Sequence, residues 1–148
     1  MGPLTDAQLA ILSCVLDEVV PPSADGRMPG AGELGLAASV AEMVGRTPGA
    51  VAALGEALLA LEAHTPQPFT ALAGPERLAA LTGFAARRPG FVEGLLFPTY
   101  AGYYRAPRVL AALGLEPRPP HPQGHVLEPG DLTLLDAVRR RGKIYREC

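Results

Sequence analysis

The sequence predicts an all-α chain: a single compact helical domain of about six helices, followed by a proline-rich excursion and a short final helix. Three observations carry that expectation. Alanine and leucine dominate a composition that is 48% hydrophobic yet only 5% aromatic, with no tryptophan, and both lose little rotamer freedom in a helix. Apolar residues recur at helical spacing, whereas runs of alternating β-branched residues are missing. The 17 glycines and 16 prolines fall between apolar blocks, where they act as punctuation. At 148 residues the chain is long enough to bury roughly 70% of its unfolded surface without disulfides or metals.

The first helix opens at Thr5, where Thr5 and Gln8 form a capping-box pattern and Leu4 and Leu9 stand at the staple positions. Leu9, Leu12, Leu16 and Val19 then make one apolar stripe, which Pro21 and Pro22 stop. A polar, glycine-rich loop over 23–32 leads to a second helix expected from Glu33 to Val44. A third opens at Thr47-Pro48, a cap followed by proline at the first helical position, and runs through Leu54, Leu58 and Leu61. Gly74-Pro75-Glu76 starts a fourth, with Leu78, Leu81 and Phe84 on its apolar face. Arg87-Arg88-Pro89-Gly90 separates it from a fifth over Phe91–Leu96. Pro107 opens a short helix ending at Gly114. Residues 115–130 hold five prolines and no helical period, so this connection either lies over a surface or moves freely. The last helix starts at Asp131 and ends near Arg141-Gly142. Residues 1–114 are thus read as a helical core domain. Residues 115–148 are read as a proline-rich segment and basic helix packed on that core or on a partner.

Charge is spread unevenly along this order. Net charge is −2 and the isoelectric point near 5.9, which removes the overall basic excess of a nucleic-acid binder. Residues 1–86 carry 3 basic and 9 acidic side chains, whereas 87–148 carry 10 basic and 6 acidic. The basic end is therefore the C-terminal one. Apolar stretches are far shorter than the roughly 20 residues of a membrane helix, so no membrane insertion is expected. The start, MGPLTDAQLA, has no charged n-region or signal-type apolar stretch. Cys14 among Ile11, Val15 and Leu16 reads as a small hydrophobe, and with Cys148 makes no disulfide framework. A cytoplasmic location follows as the expectation, with export only if a partner carries the chain.

No constellation of residues points to chemistry performed by this chain alone. His121 and His125 have the i, i+4 spacing of a helical metal pair, but Pro122 and Gly124 forbid that helix. Asp17-Glu18 are adjacent, so they diverge by about 100° and cannot flank one substrate atom; a solvated helix end is expected. Neither Ser13 nor Ser39 sits in a nucleophile elbow, and no strand precedes the glycines Gly26, Gly30 and Gly32 as a dinucleotide-binding turn requires. No catalytic, cofactor-binding or metal-binding residue is assigned. Two other readings stay open. One is a small enzyme using His121 or His125 for proton transfer beside Glu128 or Asp131. The other is a nucleic-acid or regulatory module using Arg139, Arg140 and Arg141, although the acidic balance and helix-end placement of those cations point to a protein partner instead.

The stretch Phe97-Pro98-Thr99-Tyr100-Ala101-Gly102-Tyr103-Tyr104 concentrates three of the chain's four tyrosines. Tyrosine suits an interface as well as a core, and both readings stand at this point. Several features together resemble the gluconate 2-dehydrogenase subunit 3 family. They are the first helix running into Val19-Val20-Pro21-Pro22, an Asp/Gly-rich loop, a helix beginning Ala31-Gly32-Glu33, and a late Tyr103-Tyr104 before a proline-rich tail. Tyr103-Tyr104-Arg105-Ala106-Pro107-Arg108-Val109-Leu110 and Arg118-Pro119-Pro120-His121-Pro122-Gln123-Gly124 look like a branch found beside flavin-dependent oxidoreductases of the glucose-methanol-choline class.

The resemblance implies a small, non-catalytic subunit that binds and stabilises a flavoprotein dehydrogenase large subunit. FAD would be held in the partner, and electrons would pass on to a separate acceptor subunit. Some relatives carry a twin-arginine leader; here Arg87-Arg88 is internal. The family supplies no catalytic residue. The expected partner surface combines Tyr100, Tyr103, Tyr104 and Tyr145 with Arg105, Arg108, Arg118, Arg139, Arg140 and Arg141, because aromatics and arginine are enriched where proteins meet.

Overall fold

A computed structural model describes residues 3–118, 121, 124, 126–144 and 146. Among these residues every regular element is helical: seven α-helices, two short 3₁₀ turns and no strand. The all-α expectation holds. Two compact units divide the chain, Met1–Arg118 and Pro119–Cys148.

In the first unit α1 (Asp6–Val19) is the hub, packing against α2 (Ala37–Val44), α3 (Ala50–Glu62), α4 (Gly74–Arg87), α5 (Phe91–Tyr103) and the 3₁₀ turn Phe69–Ala71. A helix surrounded by neighbours must be apolar on more than one stripe. Accordingly Ile11 and Val15 are buried along with Leu12 and Leu16, while Leu9 and Val19 are half-buried at the margins. Its start is fixed as the sequence predicts. The Thr5 amide donates to Gln8 Oε1 at 2.9 Å, and the Gln8 amide donates back to Thr5 Oγ1 at 3.3 Å. The Gln8 side-chain amide also reaches the Gly55 carbonyl at 3.2 Å, pinning α1 to α3.

Two helices begin later than their sequence signals suggest. Residues 31–36 form successive turns, and α2 starts at Ala37 instead of Glu33. The cause is long-range: Asp17 on α1 takes the Gly32 and Glu33 amides at 2.8 and 3.2 Å and holds that stretch against α1. For α3 the cap is not Thr47 but Gly49, at φ +78°, which glycine alone adopts without strain. Glu62 at the far end of α3 turns back to accept the Phe69 amide at 3.0 Å, which seats the fully buried Phe69 ring.

The largest departure is in α5, which runs on through Pro98 to Tyr103 rather than stopping at Leu96. A mid-helix proline removes one amide donor and crowds the carbonyl four residues earlier. That earlier residue is Gly94, which is exposed, so water can serve its carbonyl. Burial of Pro98 and Thr99 in the α5 packing face outweighs the lost bond, and the Thr99 hydroxyl donates to the Leu95 carbonyl at 2.6 Å. The unit closes with α6 (Pro107–Ala112), anchored by the fully buried Val109.

In the second unit Asp131 caps a 3₁₀ turn over Leu132–Leu135 that passes directly into α7 (Asp136–Arg141). Every described residue from 126 to 144, and Arg146, is exposed.

Candidate interaction surface

The helical period sorts the aromatic cluster. At about 100° per residue, Phe97, Tyr100 and Tyr104 fall within one 60° sector, while Tyr103 lies about 60° beyond its Tyr100 edge, toward the packed face. Phe97 is 75% exposed, Tyr100 42% and Tyr104 53%. The Tyr100 and Tyr104 rings lie 6.3 Å apart, and with exposed Phe97 one turn before Tyr100 they make up an aromatic stripe on one side of the helix.

Tyr103, expected at the partner surface, is instead in the core at 2% exposure. Its hydroxyl donates to the Pro29 carbonyl at 2.8 Å, and its ring meets Tyr104 edge-on at 5.3 Å. Burial, with smaller contributions from Tyr104 and Glu33, pushes its hydroxyl above the ordinary tyrosine range, so it stays a neutral donor. The reason for its inward position is register. Phe91, Leu95, Pro98, Thr99 and Tyr103 share the face of α5 that packs inward.

The cations are dispersed. Arg105 is exposed beside Tyr104. Arg108 Nη2 pairs with Glu33 Oε1 at 2.8 Å, and half-buried Arg118 pairs with Glu116. Arg139 reaches Asp136 at 3.3 Å, Arg140 Nε donates to the Asp136 carbonyl at 3.3 Å, and Arg141 is exposed. Tyr145, His125 and Cys148 lie outside the described residues.

The carboxylate pair at the end of α1 is not the solvated end that adjacency suggests. Asp17 and Glu18 do diverge, but each finds a partner. Asp17 holds the Gly32 and Glu33 amides, whereas Glu18 Oε1 sits 3.2 Å from Arg77 Nε, with side-chain exposures of only 14% and 21%. Burial raises the Glu18 pKa, Arg77 partly offsets that, and neighbouring Asp17 adds to the rise. This cluster binds α1 to α4 and to the loop.

The same cluster explains glycines that sequence motifs leave unassigned. A Cβ on Gly32 would collide with the Ser13 carbonyl and the Asp17 carboxylate, and one on Gly30 with the same carboxylate. Ser13 Oγ donates to the Gly32 carbonyl at 3.1 Å, completing the close approach. A glycine pair flanking one alanine after a double proline, with an aspartate in the helix before, is the pattern that marks this loop-to-helix docking. Within the loop, Ser23 and Met28 are joined by backbone and hydroxyl bonds, both of 2.9 Å. The Ser23 hydroxyl and the Arg27 amide hold the exposed Asp25 carboxyl below its usual range.

His64 is exposed with its ring 6.3 Å from Phe84, and His121 is exposed. Among the described residues no group of three His, Cys, Asp or Glu side chains could hold a metal ion, and no helix is long and apolar enough to cross a membrane. A crevice of about 340 Å³ lies between α3 and the start of α5, floored by Ala57, Leu54 and Leu95 with Arg88 on its lining. It went unread in the sequence because its walls come from residues some forty positions apart.

Taken together, fold and surface define an all-helical chain whose outward feature is an aromatic stripe. Compared with known protein families, curated proteins and solved structures, the chain matches none.

Proposed function

We propose that this chain is a non-catalytic accessory subunit that binds and stabilises the large subunit of a flavin-dependent alcohol or sugar dehydrogenase and assists its maturation. FAD belongs to the large subunit, and electrons leave that subunit for a separate acceptor. The observation that carries the binding role is the exposed stripe of Phe97, Tyr100 and Tyr104 on one side of α5. Three large rings left in water on a helix whose opposite face is fully used are a surface suited to a second protein. The choice of a flavoprotein rests on the resemblance of the N-terminal helix, the loop and the Tyr103–Gly124 stretch to the family named above.

The test is co-expression of the full chain with each flavin-dependent dehydrogenase large subunit encoded in the same genome, followed by size exclusion. Co-elution with one of them, and a higher yield of flavin-loaded large subunit than without the chain, is the expected result. If none co-elutes, and each large subunit is fully active and well expressed alone, the proposal fails.

A further inference from the structure

The crevice of about 340 Å³ between α3 and the start of α5 joins apolar depth to a cationic border. Leu54, Ala57 and Leu95 are buried in its lining, whereas Ala53, Arg88 and Gly94 are exposed, so it is a slot open to solvent. Two connections border it. The one from α2 to α3 contributes Val44 and Ala50, and the one from α4 to α5 contributes Arg88, Pro89 and Gly90. No Asp or Glu occurs in residues 43–55 or 78–92. Those stretches hold Arg46, Arg87 and Arg88 instead, all exposed, and among the described residues no carboxylate pairs with any of the three. Glu93, which follows the second connection, is engaged with the Gly90 amide at 3.0 Å. On a chain of net charge −2, three unpaired cations beside one apolar slot call for an anionic counterpart.

Resting on the accessory-subunit reading, we infer that this crevice receives a segment of the dehydrogenase large subunit that carries one large apolar side chain flanked by carboxylates. Charge and shape select that occupant. Three cations exceed what a small monocarboxylic acid neutralises, and an open slot does not enclose a small molecule as a metabolite pocket does. Attachment to a bilayer requires apolar side chains that protrude into it, whereas here the apolar residues are recessed between two helices. A phosphate backbone would satisfy the arginines but leave the apolar floor uncovered. An acidic protein segment with an apolar anchor answers both features. Its path also continues along α5. Gly94 lies at the slot and Phe97 one turn later, about 60° round the helix, so the crevice and the aromatic stripe adjoin and one partner surface can cover both.

The test uses the full chain and the large subunit with which it co-elutes. Ala53→Phe places a ring at the slot and is expected to weaken binding about tenfold or more. Arg46→Glu combined with Arg88→Glu is expected to weaken it comparably and to flatten its salt dependence. Both variants keep the melting temperature of the free chain, because the replaced residues are exposed. In the wild-type chain the methyl resonances of Leu54 and Leu95 shift when the large subunit is added. If the wild-type chain co-elutes but either variant binds at wild-type strength, or those methyl resonances stay in place, the crevice is overturned while the accessory reading stands. If no large subunit co-elutes, both fall. Salt-sensitive retention of the wild-type chain on single-stranded RNA, lost in the arginine variant and kept in Ala53→Phe, would also overturn it by assigning the cations to phosphate.

Discussion

The Tyr103 hydroxyl donates to the Pro29 carbonyl at 2.8 Å, joining the last turn of α5 to the loop after α1 across 74 positions. The loop is also held from its other side, where the Ala31 amide donates to the Val20 carbonyl at 3.0 Å and Ala31 is fully buried. Loop and helix end are therefore one packed structure, and the same α5 turns Phe97 and Tyr100 outward.

Tyr103→Phe keeps the ring and removes only the hydroxyl, leaving a buried carbonyl without its donor. The expected cost is about 1–2 kcal/mol, read as a lower denaturant midpoint with an unchanged slope. A midpoint equal to wild type would mean that water replaces the hydroxyl and that the tie to the loop contributes nothing.

Two glycine substitutions should move stability in opposite directions. Gly32→Ala drives a methyl group into the Ser13 backbone and the Asp17 carboxylate, so a loss of more than about 2 kcal/mol is expected from overpacking against a main chain that cannot step aside. Gly94→Ala meets nothing within 4 Å and lies inside α5. There it should gain about 0.5–1 kcal/mol by lowering the entropy of the unfolded chain. Thermal melts of the two variants side by side decide both signs.

Glu18 gives a pH dependence of defined sign. Its pKa is raised in the folded state, chiefly by burial, so the folded protein binds a proton more tightly than the unfolded chain does. Its contribution to stability is complete below the ordinary glutamate value and is lost as pH rises through the raised one. Glu18→Gln removes that titration. The variant should match wild type in acid and be no less stable at neutral pH, despite losing the ion pair to Arg77. Unfolding midpoints of both proteins across pH 4 to 7 measure the difference. A variant that loses stability relative to wild type as pH rises would show the ion pair to outweigh burial.

Local signals gave the helices whose ends are made locally. The α1 start follows from Thr5 and Gln8 alone, and the α4 start from Gly74-Pro75-Glu76. Boundaries set by distant residues could not be read in this way. The delayed start of α2 depends on Asp17, fifteen residues before Gly32, and the survival of α5 beyond Pro98 depends on a packing face that only the folded unit supplies. Division of the tyrosines needed the packed fold as well. Extending the helical period through Pro98 sets Tyr103 about 60° from Tyr100 and about 80° from Leu95, between the outward and inward sides, and the bond from its hydroxyl to Pro29 is what draws it in. The crevice beside Arg88 and the Glu18–Arg77 contact join residues far apart in the chain, and no spacing along it announces them.

The two sides of α5 should separate by mutation. Phe97 and Tyr100 are 75% and 42% exposed, and the Tyr100 carbonyl that accepts the Tyr104 amide is main chain and survives substitution, so Phe97→Ser with Tyr100→Ser should leave the melting temperature of the free chain nearly unchanged. If the stripe is the contact with the dehydrogenase large subunit, the same double variant loses about tenfold or more in affinity, as expected when aromatic anchors are removed from the centre of an interface. Tyr103→Phe should behave oppositely, lowering stability while keeping affinity once folded, because its hydroxyl faces Pro29 and not the solvent. Melting curves and titration calorimetry on the two variants give four numbers, of which the affinity of the Phe97/Tyr100 variant is decisive. Binding at wild-type strength there would remove the aromatic stripe from the interface and leave its exposure unexplained.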